Sequence, residues 1–413
     1  MEKIDHSCTE RFLRYVRFDT QSSEESVTTP STEKQKKLGA VLVRELQEMG
    51  LDDAAMDRRG YVYATLPANV DDEVPVIGLI AHMDTSPEVS GENVQPQIHR
   101  NYQGGDIELK ETRIRFEENP ALAEQIGQDI ITSDGTTLLG ADDKAGIAEI
   151  FDTLHHLTAH PEIEHGTVKI AITPDEEIGR GADHFDVKKF GADLAYTIDG
   201  ESAGQVEDET FCADSVTITV QGINVHPGYA RGRMVNAIKI ASELIAGLPR
   251  DSASPETTSD REGFVHPMTL NGGVEKTTLK FIVRDFTVEG LESLERMLKK
   301  LADEVAGRFP GARLDFKVEE SYRNMKFKLD EQPRVMEYAL EAVRRAGLAP
   351  QRHAIRGGTD GARLSYMGLP TPNIFAGGHN FHSRQEWISV RDMQLAVQVI
   401  LNLIQIWREK GQT

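Results

Sequence analysis

The stretch PVIGLIAHMDTSPE, residues 75–88, joins an apolar run to a histidine and an aspartate two positions apart. A short apolar run bounded by residues that break regular structure is typical of a buried β-strand. Because side chains alternate along a strand, His82 and Asp84 are predicted to project in the same direction from its end. Such a strand end is either a solvated turn or the edge of a functional site.

The segments that follow alternate between strand and helix patterns. Residues 144–157 carry apolar side chains at helical spacing, whereas 166–177 and 191–201 contain short apolar strands. Strands that alternate with helices indicate βαβ units and a mostly parallel sheet. We therefore predict an α/β fold with a mixed, mostly parallel main sheet. Residues 86–135 show few strong patterns and are predicted to be irregular.

The pattern changes near residue 212. Residues 215–320 read as strand, helix, two strands, helix and strand, which matches the ferredoxin-like βαββαβ arrangement. A unit of this kind is large enough to form its own core. We predict that 212–322 form a smaller inserted α+β domain, and that 1–211 and 323–413 together form the α/β domain.

Composition limits the classes of function. The net charge is −21, from 46 basic and 67 acidic residues, and such a surface repels nucleic-acid phosphates and anionic lipid headgroups. No apolar stretch approaches the roughly 18 residues that span a bilayer, and the N-terminus has no signal-peptide core. Two cysteines give no disulfide framework. We expect a cytoplasmic protein that binds neither nucleic acid nor membrane.

Clusters of polar residues follow the predicted strands, where open α/β sheets build their sites. They are AHMD (81–84), LGADDKAG (139–146), TPDEEIGRG (173–181), TIDGE (197–201) and, in the last segment, GGHNFHSRQEW (377–387). Taken singly, each has a structural explanation, because acids cap helix N-termini and Asp-Gly forms turns. Taken together, imidazoles and carboxylates on one rim are what a two-metal hydrolytic site requires.

These clusters, with NVHPGYARGRMVNA (224–237), FIVRDF (281–286) and IRGGTDGARLSYMGLPTPN (355–373), resemble a family of dizinc metallopeptidases over nearly the whole chain. The family includes carboxypeptidase G and aminoacylase relatives. IRGGTDGA and TPDEEIG resemble its tripeptide aminopeptidase branch. The resemblance implies a zinc-dependent aminopeptidase that releases the N-terminal residue from tripeptides by metal-activated water.

Two other functions stay open. A related dizinc amide hydrolase, such as a dipeptidase, deacylase or desuccinylase, would need the same metal centre. A non-catalytic metal-binding or peptide-binding relative is disfavoured, because the general base and all ligand positions of the family are present.

The resemblance assigns two zinc ions per subunit, for which Co²⁺ or Mn²⁺ could substitute. Its ligands are His82 and Asp199 at the first zinc, Glu177 and His382 at the second, and Asp142 bridging both. Asp143 is the alternative bridging residue, and the cis peptide typical of the family would join it to Asp142. Of the two histidines in GGHNFH, the family pattern selects His382 rather than His379.

The resemblance also assigns a general base, Glu176, which would move the proton of the attacking water. Asp84 would orient the His82 ring by hydrogen bonding its far nitrogen. Adjacent residues of an extended strand face opposite sides. The chain after Pro174 must therefore bend if Glu176 and Glu177 are to reach one site.

The inserted domain would hold small peptide substrates. His226 resembles the family histidine that polarises the scissile carbonyl, although a histidine in this position also suits a turn. Arg284 and Arg356 are candidates to bind a peptide carboxylate, because guanidinium pairs with it bidentately. Asn236 and Gly357 are further contacts that the resemblance suggests. Relatives often dimerise through this domain, so a homodimer is expected by analogy.

Overall fold

The computed structural model describes residues 6–411 of the 413-residue chain. The chain divides into two compact units. The first unit holds the chain up to Asp208, Met325–Ala354 and the chain from Thr359 onward, and the second holds Glu209–Asn324 and Ile355–Gly358. None of the helices between residues 6 and 411 combines the length and apolarity needed to cross a membrane.

The regular elements are numbered here in chain order. Within residues 6–411 the helices are α1 (Cys8–Tyr15), α2 (Gln35–Glu48), α3 (Ala141–Ala159), α4 (Val187–Phe190), α5 (Ala237–Ala246), α6 (Val288–Gly307), α7 (Lys326–Leu329), α8 (Pro333–Arg345), α9 (Asp360–Tyr366) and α10 (Val390–Lys410). The strands are β1 (Ala55–Met56), β2 (Val62–Leu66), β3 (Ile77–His82), β4 (Gln97–His99), β5 (Ile107–Glu108), β6 (Arg113–Ile114), β7 (Ile130–Thr132), β8 (Val168–Thr173), β9 (Leu194–Gly200), β10 (Gln205–Thr210), β11 (Cys212–Gln221), β12 (Phe264–Gly272), β13 (Lys276–Asp285), β14 (Arg313–Tyr322), β15 (Gln351–Ile355), β16 (Asn373–Phe375), β17 (Gly378–His379) and β18 (Trp387–Ser389).

The first unit is built on an eight-stranded mixed sheet of order β1-β2-β8-β3-β9-β16-β10-β15. Its central strands are parallel, because β3 pairs in parallel with β8 and β9, and β9 with β16. The flanking pairs β2–β8 and β10–β16 are antiparallel. Strand β3 is buried along its whole length, as a parallel strand covered on both faces must be. The predicted α/β fold with a mixed, mostly parallel sheet is confirmed.

Helix α3 covers the centre of this sheet. It packs on β3 and β9 on one side, and against α1 and α10 on the other. The apolar positions that predicted it, Ile147, Ile150, Phe151 and Leu154, are fully buried. Because α3 starts at the carboxyl ends of the parallel strands, its first turn lies at the rim where the polar clusters were predicted.

The second unit contains the antiparallel sheet β12-β13-β11-β14 with helices α5 and α6. Its first strand, β11, lies between β13 and β14, which is the strand order of the ferredoxin-like motif. Alternate residues of β11 point to the core. That core also takes residues from both helices, and it includes Val216, Ile218, Val220, Ile240, Leu244, Leu291 and Leu298.

The bounds of the second unit differ in detail from the predicted insertion, 212–322. Ile355–Gly358, which the sequence analysis put in the larger domain, belongs to this unit. The Phe211 N–H donates to the Gly357 carbonyl oxygen at 3.3 Å, and the Arg356 guanidinium lies 5.3 Å from the centre of the Phe211 ring. These contacts hold the short segment in the second unit. They could not be predicted from the sequence, because they follow no regular spacing of residues.

Residues 86–135 are less irregular than predicted. They contain β4 to β7, each two or three residues long. Strand β7 pairs with β4 and with β18, and Tyr102, Ile114 and Trp387 pack in a small core beneath them. Strands of two or three residues are too short to show an alternating pattern of apolar side chains. Strand β18, which pairs with β7, also lies far from it in the sequence.

The contact between α3 and β9 generates a stability prediction. A Cβ built on Gly146 would lie 1.9 Å from the Ile198 carbonyl oxygen and 2.4 Å from Asp143 Oδ1. We expect Gly146→Ala to lower the free energy of unfolding by about 1–3 kcal/mol, as overpacking does, measured by urea denaturation. Gly307→Ala is the control, since a Cβ there meets no atom within 4 Å. An unchanged unfolding midpoint for Gly146→Ala would contradict this close packing.

Candidate metal centre

Five carboxylate and imidazole side chains of the first unit meet at the carboxyl ends of the central parallel strands. They are His82 at the end of β3, Asp142 in the first turn of α3, Glu177 after β8, Asp199 near the end of β9, and His382 after β17. Parallel strands end at the same edge of a sheet, so residues far apart in sequence converge there. The structure therefore brings together all five positions that the resemblance assigned as ligands.

The carboxylate of Asp142 lies between two imidazoles. Its Oδ1 is 2.8 Å from His82 Nε2, and its Oδ2 is 3.3 Å from His382 Nε2. Asp199 Oδ1 is 3.5 Å from His82 Nε2, and Glu177 Oε2 is 2.7 Å from His382 Nε2. Each oxygen of Asp142 thus faces a different group of donors, which is the geometry that a carboxylate bridging two cations needs.

The neighbouring carboxylate, Asp143, is engaged in backbone hydrogen bonds. Its Oδ2 accepts from the His82 N–H and its Oδ1 from the Gly146 N–H, both at 3.1 Å. One of its oxygens also lies within 4.8 Å of donor atoms of His82 and Asp199. The peptide bond between Asp142 and Asp143 is cis, at the position that the resemblance implied. The geometry favours Asp142 over Asp143 as the bridging residue.

The loop after β8 contains the bend that the two adjacent glutamates require. Asp175 has φ 61°, in the left-handed region, and Glu176–Ile178 form a 3₁₀ turn. The buried Asp175 carboxylate accepts hydrogen bonds from the Ser31 N–H at 2.7 Å, the Ser31 hydroxyl at 2.5 Å and Gln35 Nε2 at 2.7 Å. Sequence analysis missed Asp175. Its signal is an aspartate in TPDEE, since aspartate tolerates the left-handed conformation better than most residues.

Asp84 connects the strand that carries His82 to this loop. The Nδ1 atom of His82 lies 3.1 Å from the Asp84 carbonyl oxygen and 3.4 Å from Asp84 Oδ1. The Asp84 carboxylate accepts hydrogen bonds from the N–H groups of Glu176, at 3.0 Å, and Glu177, at 3.2 Å. Asp84 is fully buried, so these bonds are shielded from water. One side chain therefore fixes the positions of His82, Glu176 and Glu177 relative to one another.

Charge in this cluster is dominated by carboxylates. Burial raises the pKa of Asp199 to about 6 and that of Glu177 to about 8. Burial lowers the pKa of His382, but the adjacent Asp142 and Glu177 outweigh it and raise the pKa to about 11. A divalent cation among these atoms would reverse such shifts, because it favours ionised carboxylates and neutral imidazoles. The donor set fits metal ions of the zinc class.

The second histidine of GGHNFH lies outside this group. His379 stacks on Trp387 with ring centres 4.2 Å apart, and burial lowers its pKa to about 4. Sequence analysis also missed Glu386, which is in the same segment. Glu386 accepts hydrogen bonds from the N–H groups of Gly140, at 2.7 Å, and Asp142, at 3.1 Å. It therefore holds the turn that presents Asp142.

The residues predicted to bind substrate all lie in the second unit, and the structure describes their surroundings there. His226 is exposed, and its Nδ1 accepts from the Gly228 N–H at 3.2 Å. Asn236 caps helix α5, since its Oδ1 accepts from the Ile238 N–H at 2.9 Å. Space remains next to Gly357, because a Cβ built there would lie no closer than 3.7 Å to another atom.

The two arginines differ in how fully they are hydrogen bonded. Arg356 donates to the carbonyl oxygens of Asp260, at 2.9 Å, and Glu262, at 3.0 Å, and to the Thr258 hydroxyl at 2.9 Å. Arg284 donates from Nη1 to the Arg356 carbonyl oxygen at 3.3 Å. Its buried Nε has no hydrogen-bond partner within residues 6–411. The part that either arginine takes in substrate binding stays a prediction.

Comparison with known proteins identifies the family. Residues 135–406 match the model of peptidase family M20/M25/M40. Peptidase T of Clostridium perfringens (strain SM101 / Type A) is 49% identical over 97% of this chain and 99% of the relative. The crystal structure of the aminopeptidase PepT from Bacillus cereus ATCC 10987 is similar, with a TM-score of 0.75, 25% identity and coverage of 97% of this chain and 98% of that chain.

A dinuclear metal-binding peptidase of the M20 family from Bacillus subtilis shares the fold. Its TM-score is 0.64 at 16% identity, with 97% of each chain covered. The family model covers more than half of the chain, and the identity to the Clostridium relative extends over almost all of it. The chain therefore belongs to peptidase family M20/M25/M40, which confirms the family resemblance of its sequence.

Proposed function

We propose that this protein is a zinc-dependent aminopeptidase that releases the N-terminal residue from tripeptides. The observation that carries the proposal is the placement of Asp142, whose two oxygens face His82 and His382 respectively. The aminopeptidase and tripeptide parts are supported by the relatives named Peptidase T and PepT and by the motifs TPDEEIG and IRGGTDGA.

Two divalent ions would be held by the five ligands. His82 and Asp199 would bind the first zinc, Glu177 and His382 the second, and Asp142 both. When bound, the two cations supply Lewis-acid catalysis and allow water to act as a nucleophile at neutral pH. Carboxylate and imidazole ligands also bind Co²⁺ and Mn²⁺.

Glu176 is the proposed general base. It follows Asp175 at the bend and precedes the proposed ligand Glu177, and its backbone N–H is held by Asp84 at 3.0 Å. In the proposed reaction the water oxygen bonds to the carbonyl carbon of the first peptide bond while Glu176 accepts the water proton. Glu176 then gives that proton to the amide nitrogen as the C–N bond breaks. The products are the N-terminal amino acid and a dipeptide.

The second unit would supply contacts to the substrate. His226 is exposed and is proposed to polarise the scissile carbonyl through Nε2, since its Nδ1 accepts from the Gly228 N–H. Arg284 is the stronger candidate for the peptide carboxylate, because the donors of Arg356 are engaged with the loop at Thr258–Glu262. Asn236 and Gly357 would act as lesser contacts. We further propose a homodimer through this unit and a cytoplasmic location, where the free thiols of the chain would stay reduced.

Substrate length tests the proposed function directly. We expect tripeptides to be cleaved at the first peptide bond. Dipeptides and N-acyl amino acids should react with kcat/KM values lower by at least about 100-fold, because they leave polar groups of the site without partners, which is costly. Steady-state rates on a peptide series, with products identified by mass spectrometry and with a chelator control, measure this. Equal rates for all three classes would instead favour a broader dizinc amide hydrolase.

Substitution of the general base separates catalysis from metal binding. We expect Glu176→Gln to keep its metal and to lose about 10²–10⁴-fold in kcat, the usual contribution of a positioned base. Metal content by mass spectrometry and rates on a tripeptide are the measurements. Glu177→Gln is the matched neighbour, and it should lose metal as well as activity. Loss of metal from Glu176→Gln would make Glu176 a ligand instead.

Substitution in the second unit tests the carbonyl-polarising role. We expect His226→Ala to lower kcat by about 10²–10³-fold, as loss of one electrostatic donor does, with metal content unchanged. His155→Ala removes an exposed histidine of α3 and should leave kcat unaltered. If His226→Ala and His155→Ala show the same rate as the unmodified protein, the polarising group lies elsewhere.

A further inference from the structure

A second set of metal-binding side chains lies where α1 packs on α3. His6, Cys8 and Asp152 place an imidazole nitrogen, a thiol sulfur and a carboxylate oxygen within 4.8 Å of one another. Cys8 and Asp152 are buried, and the His6 side chain is 18% exposed. Asp152 follows Asp142 by ten positions on α3, which is roughly 15 Å along the helix axis. The proposed peptidase reaction uses none of these three groups.

Hydrogen bonds already orient Asp152 in this set. Its Oδ1 accepts from the Ser7 N–H at 2.8 Å and from the Ser7 hydroxyl at 2.6 Å. Its Oδ2 lies 3.1 Å from His6 Nδ1. The carboxylate is thus fixed by one oxygen and presents the other to the imidazole. That arrangement resembles the fixed first ligand of a metal site more than a freely rotating surface acid.

Glu149 provides an independent observation that points to a ligand. It lies one turn before Asp152 on the same face of α3. Its side chain is fully buried, and neither carboxyl oxygen has a hydrogen-bond partner within residues 6–411. Burial raises the pKa of the Cys8 thiol, and the charges of Asp152 and Glu149 raise it further.

Burial of a carboxyl without a hydrogen-bond partner is costly even when the group is uncharged. Burial raises the pKa of Glu149 well above its usual value, and the charges of Asp152 and Asp392 raise it further. Buried acidic groups in proteins are paired with bases or coordinate metals. A divalent cation bound between α1 and α3 by Asp152 and the Cys8 thiolate would offset the negative charge around Glu149.

We propose that His6, Cys8 and Asp152 form a divalent-metal site of the zinc class, separate from the catalytic centre. Three protein ligands with nitrogen, sulfur and oxygen donors suit zinc, whose fourth position water would fill. A thiolate among them selects zinc or cobalt over magnesium and calcium. On binding, Cys8 gives up its proton to solvent while His6 binds as the neutral imidazole, and the buried Glu149 adds negative charge on the same face of α3. The metal ties α1 to α3.

Cobalt provides a probe that reports this site alone. The proposed catalytic ligands are carboxylates and imidazoles, so a thiolate-to-Co²⁺ charge-transfer band in the near ultraviolet can arise only from a cysteine. We expect the full-length, metal-depleted protein to develop this band on titration with Co²⁺ and to bind one more cobalt per chain than the Cys8→Ser variant. Cobalt counts by native mass spectrometry complete the measurement, and they do not depend on peptidase activity.

The matched control is Cys212→Ser, since Cys212 is buried in the second unit. It should keep the band, whereas Cys8→Ser should lose it and Glu149→Gln should need more Co²⁺ for half-saturation. If Cys8→Ser does not fold, His6→Gln at the partly exposed position serves in its place and should weaken the band. The proposal is overturned if the folded unmodified protein gives no thiolate band. It is equally overturned if the band survives Cys8→Ser or vanishes in Cys212→Ser.

Discussion

The carboxylate of Asp84 accepts hydrogen bonds from two consecutive backbone N–H groups, those of Glu176 and Glu177, and lies beside the ring of His82. This contact joins the ends of β3 and β8 at the rim of the sheet. It adds to the pairing of His82 with Thr173 at the end of the two strands. Because His82 and Asp84 lie two positions apart, Asp84 contacts the His82 ring and also holds the loop that carries the two glutamates.

A second constraint acts on the same loop from its other side. Asp175, in the left-handed conformation, is held by Ser31 and Gln35 from the polar segment before α2. Asp84 and Asp175 therefore fix the loop at two points, one on each side of the glutamate pair. Hydrogen bonds that position a catalytic loop in advance lower the free-energy cost of binding and catalysis.

Much of the fold and of the candidate metal centre could be predicted from the sequence. The strand ends of a parallel sheet converge, and three of the five candidate ligands, His82, Glu177 and Asp199, lie in polar motifs at such ends. The supporting residues could not be predicted in this way. Glu386 and Asp175 accept hydrogen bonds from backbone N–H groups. Such contacts produce no regular spacing of residues that a sequence pattern could reveal. Two features of the fold could not be predicted either. The short strands in residues 86–135 and the inclusion of Ile355–Gly358 in the second unit both depend on pairing between residues far apart in the sequence.

The order of strands in the large sheet has a consequence for biosynthesis. Strand β16 lies between β9 and β10, yet it is made after the whole of Glu209–Asn324. The ferredoxin-like unit can acquire most of its structure while the ribosome is still translating, whereas the large sheet stays open until Phe375 has emerged. His382 and Glu386 follow later still. The candidate metal centre is therefore completed only when synthesis of the chain is nearly finished.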